Sequence, residues 1–467
     1  MASIKTKKAR ASFLYTGMGQ IPRGVVSVEF APFVTEVPPN TFRECDELQH
    51  VTFNENLRTI GANAFQECES LETIALPSSL VEIGEGAFWC CIALKHVLLD
   101  KCLENIGMRA FYGCKSLERI ELPSTVIEIG CDAFSICTAL NDVILNVGLR
   151  EIGKHAFHGC ESLTRMKLPS TVVEVEDYTF YGCTVLRDVL LNEGLRRIGK
   201  YAFGSCTSLE KIKVSSTVNE IGDYVFSGCR RLKYVELNEG LQRIGNSAFL
   251  DCESLERISF PNTVVEIGDY AFSVCRALKH VLLNEGLREL GNGAFLGCES
   301  LLAIRLPSTI IGIGDYVFSV CSNLSDVVVN EELQKIGAHA FDGCDCSENI
   351  KFPCVAVSLQ SISYEMDRVD ILRKIHEIPD VAMGNSEVMI SGVALAGGGN
   401  WTRCKESLNQ ILGLIAYYEM KEATSMFELA LWKAKMLEEN KVDGESRLSC
   451  CIGVPGPVKD AVLQFLS

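Results

Sequence analysis

A 23-residue repeat constrains this chain more than any other feature of its sequence. The stretch from Leu117 to Cys137 returns with the same skeleton when the window is moved by 23 residues in either direction. Phenylalanine stands three residues before each repeated cysteine, from Phe42 to Phe341. The cysteines recur, without insertion or deletion, at positions 45, 68, 91, 114, 137, 160, 183, 206, 229, 252, 275, 298, 321 and 344. A fixed period of this length with recurring apolar positions indicates a solenoid in which each unit contributes one coil.

Each unit predicts two short extended segments followed by a tight turn. Residues 119–122 alternate charged and apolar side chains, which predicts a strand with its apolar residues facing the core. A second extended segment ends at Ile129. Phe134, Cys137 and Leu140 follow at intervals of three residues, and this spacing predicts one turn of tight helix. Each coil therefore offers a strand edge to the coils on either side of it.

Glycine follows the second extended segment in almost every unit. The run extends from Gly61 to Gly337, and the single exception is Glu176. Two backbone requirements explain such a run, namely a positive φ angle or a close approach to a neighbouring backbone, because a residue without Cβ tolerates both.

The repeat resembles a known family at the level of its individual positions. Residues 306–324, which read LPSTIIGIGDYVFSVCSNL, resemble the BspA-type leucine-rich repeat, and the resemblance extends over residues 22–354. It implies a curved solenoid with a parallel β-sheet on the concave face, short helical turns opposite, and a role in binding other proteins. It implies no catalytic activity. Bacterial relatives are often exported surface proteins, and an export signal is not evident here, so adhesion is not carried over.

The 22 cysteines are predicted to be buried thiols. Equivalent cysteines in stacked coils would have parallel Cβ atoms about 4.8 Å apart, outside the ~3.5–4.5 Å that a disulfide needs. A straight row of thiols also cannot close a tetrahedral zinc site. The adjacent pair Cys450 and Cys451 has no second Cys or His pair at ligand spacing nearby. We therefore predict no metal site, and a reducing compartment fits this use of cysteine.

Composition and motifs exclude several classes of function. A formal net charge of −16 opposes a sequence-independent grip on nucleic acid, which needs Lys and Arg to replace phosphate counterions. No apolar run of 18 residues is present, so the chain is not predicted to span a membrane. The motifs G-x-x-x-x-G-K-[ST], H-E-x-x-H and G-x-S-x-G are absent, and the chain is predicted to be neither an enzyme nor a cofactor-binding protein.

The sequence predicts three regions along the chain. Residues 1–24 form an N-terminal tail and cap, 25–354 the leucine-rich repeat solenoid, and 355–467 a small α-helical domain. Basic residues cluster in positions 1–10 without a following apolar stretch, which does not indicate a secretory signal. We therefore expect a cytoplasmic protein, with the nucleus as the alternative.

The C-terminal region has the apolar spacing of helices. Residues 363–376 and 404–439 are predicted helices, and the second carries apolar residues near helical spacing. Residues 417–424 and 429–435 look like the helical tail of repeat proteins from diatoms. These helices would cap the last coil, bind a partner or join two copies of the chain.

A second periodicity of 46 residues is superposed on the first. Coils with a proline, as in residues 122–125 (LPST), alternate with coils that carry asparagine, as in 191–194 (LNEG). We call these proline coils and asparagine coils. Their outward strand positions differ accordingly: proline coils present basic side chains, whereas asparagine coils present an acidic residue or histidine followed by an aliphatic one. The predicted protein-binding residues on the concave face are His96, Leu98, Arg119, Asp142, Ile144, Arg165, Lys167, Asp188, Leu190, Lys211, Lys213, Arg257, His280 and Leu282.

Two readings of this face compete. Charged rows on strands are commonly solvated, and alternating signs let neighbouring rungs attract one another. Repeated exposed aliphatics, in contrast, mark interaction sites. The favoured prediction is a protein-binding scaffold that uses the concave face, with a protein partner of unknown identity. The alternative is a structural protein that self-associates as a homo-oligomer through its C-terminal helices.

Overall fold

The chain winds into a solenoid of parallel strands. The computed structural model describes residues 12–330, 332–333 and 335–344, and the backbone of residues 381–384 and 387–390. Each coil from His50 onward contributes one strand of three residues and one of two residues, and the coil before it has strands of four and two residues. The strands of neighbouring coils pair in parallel at a separation of 23 residues, as in the pairing of Ile129 with Ile152. The predicted repeat solenoid is thus confirmed.

The strands form two rows along the solenoid. The first row comprises β1 (Ser12–Tyr15), β2 (Ser27–Phe30), β4 (His50–Thr52), β6 (Thr73–Ala75), β8 (His96–Leu98), β10 (Arg119–Glu121), β12 (Asp142–Ile144), β14 (Arg165–Lys167), β16 (Asp188–Leu190), β18 (Lys211–Lys213), β20 (Tyr234–Glu236), β22 (Arg257–Ser259), β24 (His280–Leu282), β26 (Ala303–Arg305) and β28 (Asp326–Val328). The second comprises β3 (Glu36–Val37), β5 (Thr59–Ile60), β7 (Glu82–Ile83), β9 (Asn105–Ile106), β11 (Glu128–Ile129), β13 (Glu151–Ile152), β15 (Glu174–Val175), β17 (Arg197–Ile198), β19 (Glu220–Ile221), β21 (Arg243–Ile244), β23 (Glu266–Ile267), β25 (Glu289–Leu290), β27 (Gly312–Ile313) and β29 (Lys335–Ile336).

The core is a column of similar layers between the two rows. The phenylalanines from Phe42 to Phe318 are fully buried. Their rings stack coil on coil, with centroids 4.9 Å apart between Phe249 and Phe272 and 5.7 Å apart between Phe203 and Phe226. The column is covered at its N-terminal end by β1, where the ring of Tyr15 packs edge-on against that of Phe42.

The turn that holds the phenylalanine differs from the predicted helical turn. The N–H of Phe134 donates to the carbonyl of Ala156 in the next coil, at 2.8 Å, whereas the N–H of Cys137 donates to Phe134 three residues back, at 3.3 Å. Donors thus alternate between the neighbouring coil and the local turn. The alternation requires residues in the left-handed region, such as Asp132 (φ 56°) and Ile136 (φ 59°), which a right-handed helix excludes.

One of these left-handed positions provides a stability test. Val320 has a φ of 59° and is 50% exposed, a costly conformation for a β-branched residue that buries little there. The equivalent position is Gly297 one coil earlier, with a φ of 71°. We expect Val320→Gly to raise the free energy of unfolding by about 1 kcal/mol in urea titrations, because glycine adopts this region without strain. The reciprocal change Gly297→Val should lower it, and a loss of stability in Val320→Gly would contradict the strain.

The recurring glycines after the two-residue strands are explained by close backbone approach. Gly245 does not have a positive φ, but a Cβ built on it would lie 2.6 Å from the carbonyl carbon of Gly222 in the preceding coil. Glu176 places a full side chain at this position. Within the described coils, the ladder of two-residue strands is interrupted once, between β13 and β15, and β15 is the strand that Glu176 follows. Insufficient space for its Cβ explains the interruption.

The 46-residue period also appears in the strand pairing. β10 and β12, from a proline coil and the asparagine coil after it, share three residue pairs, whereas β12 and β14 are not paired. Asn146 strengthens the first kind of junction, because its Nδ2 donates to the carbonyls of Pro123 and Val126 in the preceding proline coil, at 2.7 and 2.9 Å. The structural unit is therefore a pair of coils, with the asparagine coil bound to the proline coil before it.

The repeated cysteines lie beneath the phenylalanine column and have a second role there. Each thiol from Cys68 to Cys344 donates a hydrogen bond to the carbonyl of the phenylalanine 26 residues earlier, as Cys206 does to Phe180 at 3.3 Å. Burial raises the pKa of the Cys183 and Cys229 thiols to about 12. None of the cysteines in the described coils forms a disulfide, as predicted for a ladder of parallel thiols.

Thiol labelling should separate this ladder from the surface cysteines. Thiolate is the reactive form and labelling needs access to it, so burial should leave the repeated thiols from Cys68 to Cys321 unlabelled in the native protein at neutral pH. Cys102 is exposed and should react quickly, and the half-buried Cys90 and Cys131 more slowly. Denaturation should make all 22 cysteines reactive. Peptide mapping of the labelled protein checks this expectation, and rapid native labelling of Cys183 or Cys206 would contradict it.

The C-terminal region is described only in part. The described backbone of this region contains an antiparallel pair, β30 (Val381–Gly384) with β31 (Glu387–Ile390), which the sequence did not predict. The predicted helices at 363–376 and 404–439 lie outside the described residues. The predicted α-helical domain therefore stays a prediction.

Candidate protein-binding face

The first row of strands presents two parallel columns of side chains to solvent. In each three-residue strand the middle residue points into the core and the first and third point outward, as shown by β14, where Met166 is buried between exposed Arg165 and Lys167. We call the outward side chains of β6 to β28 the three-residue face. This is the face predicted to be concave.

All fourteen residues predicted for protein binding lie on this face. Three aliphatic residues at the third strand position are highly exposed: Leu98, Leu190 and Leu282 have exposed fractions of 66%, 61% and 65%. Ile144 is less exposed, at 39%, and Asp142 beside it is half-buried. The structure thus brings together a row of aliphatic side chains two coils apart, with charged rungs between them.

Some charges on the face are compensated by ion pairs and others are not. Arg119 forms ion pairs with Glu121 at 2.9 Å and Asp142 at 3.0 Å. Lys213 binds Glu236 at 2.7 Å, and this hydrogen bond raises the pKa of Lys213. The side chains of Arg165, Lys167 and Lys211 form no ion pair with any residue in the described ranges. Arg257, Arg305 and the carboxylate of Asp188, which lies beside Arg165 in the strand register, likewise form no ion pair within the described residues.

Sequence reasoning missed several members of the face and one irregularity in it. Tyr234 is 55% exposed and lies beside Lys211 in the strand register, and Arg305 with Val328 extends the pattern towards the C-terminus. Their strand positions were a sufficient signal, because each stands 46 or 92 residues from a predicted residue. Glu236 occupies a position where other asparagine coils carry an aliphatic residue.

Other classes of site find no support in the part of the chain that the structure describes. No group of three or more His, Cys, Asp or Glu side chains there could hold a metal ion. Nor does that part contain a helix long and apolar enough to cross a membrane. Grooves of about 1070 and 360 Å³ lie away from the three-residue face, one beside Met18 and the other over Gly312.

Stacked parallel strands, a repeated apolar skeleton and an exposed strand face define a leucine-rich repeat solenoid. The model of the BspA type leucine rich repeat region matches residues 35–164, 127–256 and 242–368. The chain belongs to the BspA-type leucine-rich repeat family.

The chain is also similar to proteins of known structure, and the first of those described here agrees with this assignment. A leucine-rich repeat protein from Bacteroides ovatus is 32% identical with a TM-score of 0.64, and the match covers 69% of this chain and 85% of that chain. A leucine rich cell surface protein from Faecalibacterium prausnitzii is 28% identical with a TM-score of 0.41, covering 63% and 83%. A T. pallidum leucine rich repeat protein is 28% identical with a TM-score of 0.27, covering 52% and 82%. The curated proteins include no significant match.

Proposed function

We propose that this protein is a protein-binding scaffold whose receptor surface is the three-residue face. The observation that carries the proposal is the recurrence of highly exposed leucines, Leu98, Leu190 and Leu282, on a face where several cations form no ion pair with any described residue. Large exposed apolar side chains that recur on one face favour an interaction site over solvated decoration. Leucine-rich repeat proteins generally serve in recognition, which supports a binding role rather than catalysis.

The two kinds of side chain would divide the work of binding. Open cations attract an acidic partner over distance, which mainly increases the association rate. Aliphatic side chains lose their contact with water only in the bound complex, and therefore mainly slow dissociation. We further propose a cytoplasmic or nuclear location, because a reducing compartment preserves the thiols that donate to the phenylalanine carbonyls.

Capture from a lysate of the source cell tests the proposal with three baits. The first is the wild-type chain and the second carries Ile144→Ser and Leu190→Ser. The third, a matched control, carries Val173→Ser and Arg196→Ser, two exposed positions outside the three-residue face. Proteins bound by the first and third baits but not the second are the expected result. An identical set on all three baits would refute the face as receptor.

Binding kinetics of a captured partner then give a residue-level prediction. Replacing Arg165, Lys167, Lys211 and Lys213 with serine should slow association by about tenfold at low salt and flatten its salt dependence. The variant with Ile144→Ser and Leu190→Ser should instead raise the dissociation rate by roughly tenfold or more, because buried aliphatic area is lost. Surface plasmon resonance at several salt concentrations measures both, and unchanged rates in either variant contradict this division of roles.

A further inference from the structure

The aliphatic side chains of the three-residue face follow a fixed spacing along the solenoid. Leu98, Ile144 and Leu190 stand at the third position of successive asparagine coils, and Leu282 and Val328 continue the row beyond Glu236. Neighbouring strands in a sheet lie about 4.8 Å apart, so side chains two coils apart lie about 9.6 Å apart. The row therefore offers apolar contacts at intervals close to 10 Å.

This interval matches the repeat of one face of an α-helix and does not match that of an extended β-strand. An α-helix rises 1.5 Å per residue, so residues one heptad apart are about 10.5 Å apart on the same face. An extended strand presents the same face every second residue, at multiples of about 6.6 Å, and cannot place side chains on successive aliphatic rungs. The rise of half a heptad falls within the 4.9 to 5.7 Å that separates the stacked phenylalanine rings of neighbouring coils. Each single coil therefore corresponds to about half a heptad.

The charges on the face indicate which charged side chains such a helix would carry. Arg165 and Lys167 lie on β14, the rung between Ile144 and Leu190, and Lys211 lies on the rung after Leu190. None of these three cations has an ion-pair partner among the described residues, and the single carboxylate among them is that of Asp188 on β16, beside Arg165 in the strand register. Carboxylates half a heptad from the apolar residues would therefore meet an excess of positive charge. A helix with apolar and acidic residues alternating every three to four positions satisfies both features.

We infer that the three-residue face takes an acidic amphipathic α-helix of a partner protein, aligned along the solenoid, with apolar residues repeated every seven positions. The inference rests on the proposed function, which it deepens by naming the partner's conformation. A helix of about 15 residues reaches from Leu98 to Leu190 and covers both outward columns, since its diameter of ~10 Å exceeds the ~7 Å between first and third strand positions.

Synthetic peptides of identical composition test the conformation directly. The first peptide has leucine at every seventh position with glutamate between, on an alanine background that favours helix. The second has the same residues with its leucines distributed around the helix, and the third alternates them to favour a strand. Fluorescence anisotropy with the full chain should show the first peptide binding about tenfold or more tightly than the other two.

Variants of the full chain locate the site. The double variant Leu98→Ser with Leu190→Ser should lower the affinity for the first peptide about tenfold. The double variant Arg165→Ser with Lys211→Ser should remove most of the salt dependence of that affinity. The control variant with Val173→Ser and Arg196→Ser should bind as the wild type does.

Three outcomes overturn the inference. Equal binding of all three peptides, or binding of none, excludes recognition of heptad spacing. Tighter binding of the alternating peptide makes the occupant an extended chain and leaves the proposed function intact. If a peptide of residues 404–439 binds more tightly than the three synthetic peptides, the face is occupied by a segment of the protein's own chain. The proposed function would be contradicted by a separate result, namely captured partners that bind the serine variants as well as they bind the wild-type chain.

Discussion

Replacement of Phe203 by alanine is expected to lower the free energy of unfolding by about 3–5 kcal/mol. Phe203 is fully buried, and its ring stacks between those of Phe180 at 5.3 Å and Phe226 at 5.7 Å. Alanine removes the ring from a column that cannot collapse, because the strands on both sides hold the coil spacing. Urea titration followed by circular dichroism measures the loss.

The matched control is Phe33, which is 70% exposed, so that Phe33→Ala should change stability by less than about 0.5 kcal/mol. Hydrogen exchange adds a spatial readout, since coupling in a solenoid is between nearest neighbours. Exchange in Phe203→Ala should accelerate first in β16 to β20. Acceleration that is uniform along the whole array would contradict a locally coupled core.

Substitution of Gly245 by glutamate is expected to reproduce, in a second place, the interruption found at Glu176. The new Cβ would meet the backbone of Gly222, so β21 should separate from β19 and lose its ladder bonds. Overpacking costs ~1–3 kcal/mol and each lost hydrogen bond ~1 kcal/mol, so the free energy of unfolding should fall by roughly 3 kcal/mol. Hydrogen exchange of the β21 amides and urea titration measure it.

The converse change, Glu176→Gly, should pair β15 with β13 and raise stability. Burial raises the pKa of Glu176. Its charged form is therefore disfavoured in the folded protein, and this destabilisation is present at neutral pH and fades as the pH falls through the raised pKa. The stability gained in Glu176→Gly should accordingly be larger at neutral than at acidic pH. Unchanged protection of β15 in this variant would show that the interruption has another cause.

The sequence predicted the features that repeat within one unit. Period, inward positions, the phenylalanine column and the double repeat follow from side-chain type and spacing, and all depend on which residues are apolar. The exception at Glu176 was visible in the sequence. Its consequence was not, because that depends on how closely the backbone of Gly153 or Gly199 approaches the preceding coil.

The sequence did not predict what depends on contacts between coils. The turn around Phe134 was expected to be helical, but its N–H donates to Ala156 in the next coil, a partner that local spacing does not reveal. Ile136 and Val274 have left-handed backbone conformations, which β-branched residues disfavour, and hydrogen bonds to the neighbouring coils hold them in that conformation. The donation from each thiol to a phenylalanine carbonyl was missed for the same reason. On the three-residue face, the structure was needed to show that Arg165 forms no ion pair with a described residue, whereas Arg119 and Lys213 do.

Hydroxyl-radical footprinting of the complex with a captured partner tests the central claim most directly, because it reports the exposure of individual side chains. Binding at the three-residue face predicts that oxidation of Leu98, Leu190 and Tyr234 falls sharply in the complex, while that of Met18 and Phe33, which are exposed outside the face, stays unchanged. Unchanged oxidation of Leu190 and Tyr234 in a saturated complex would contradict the assignment of this face as the receptor surface.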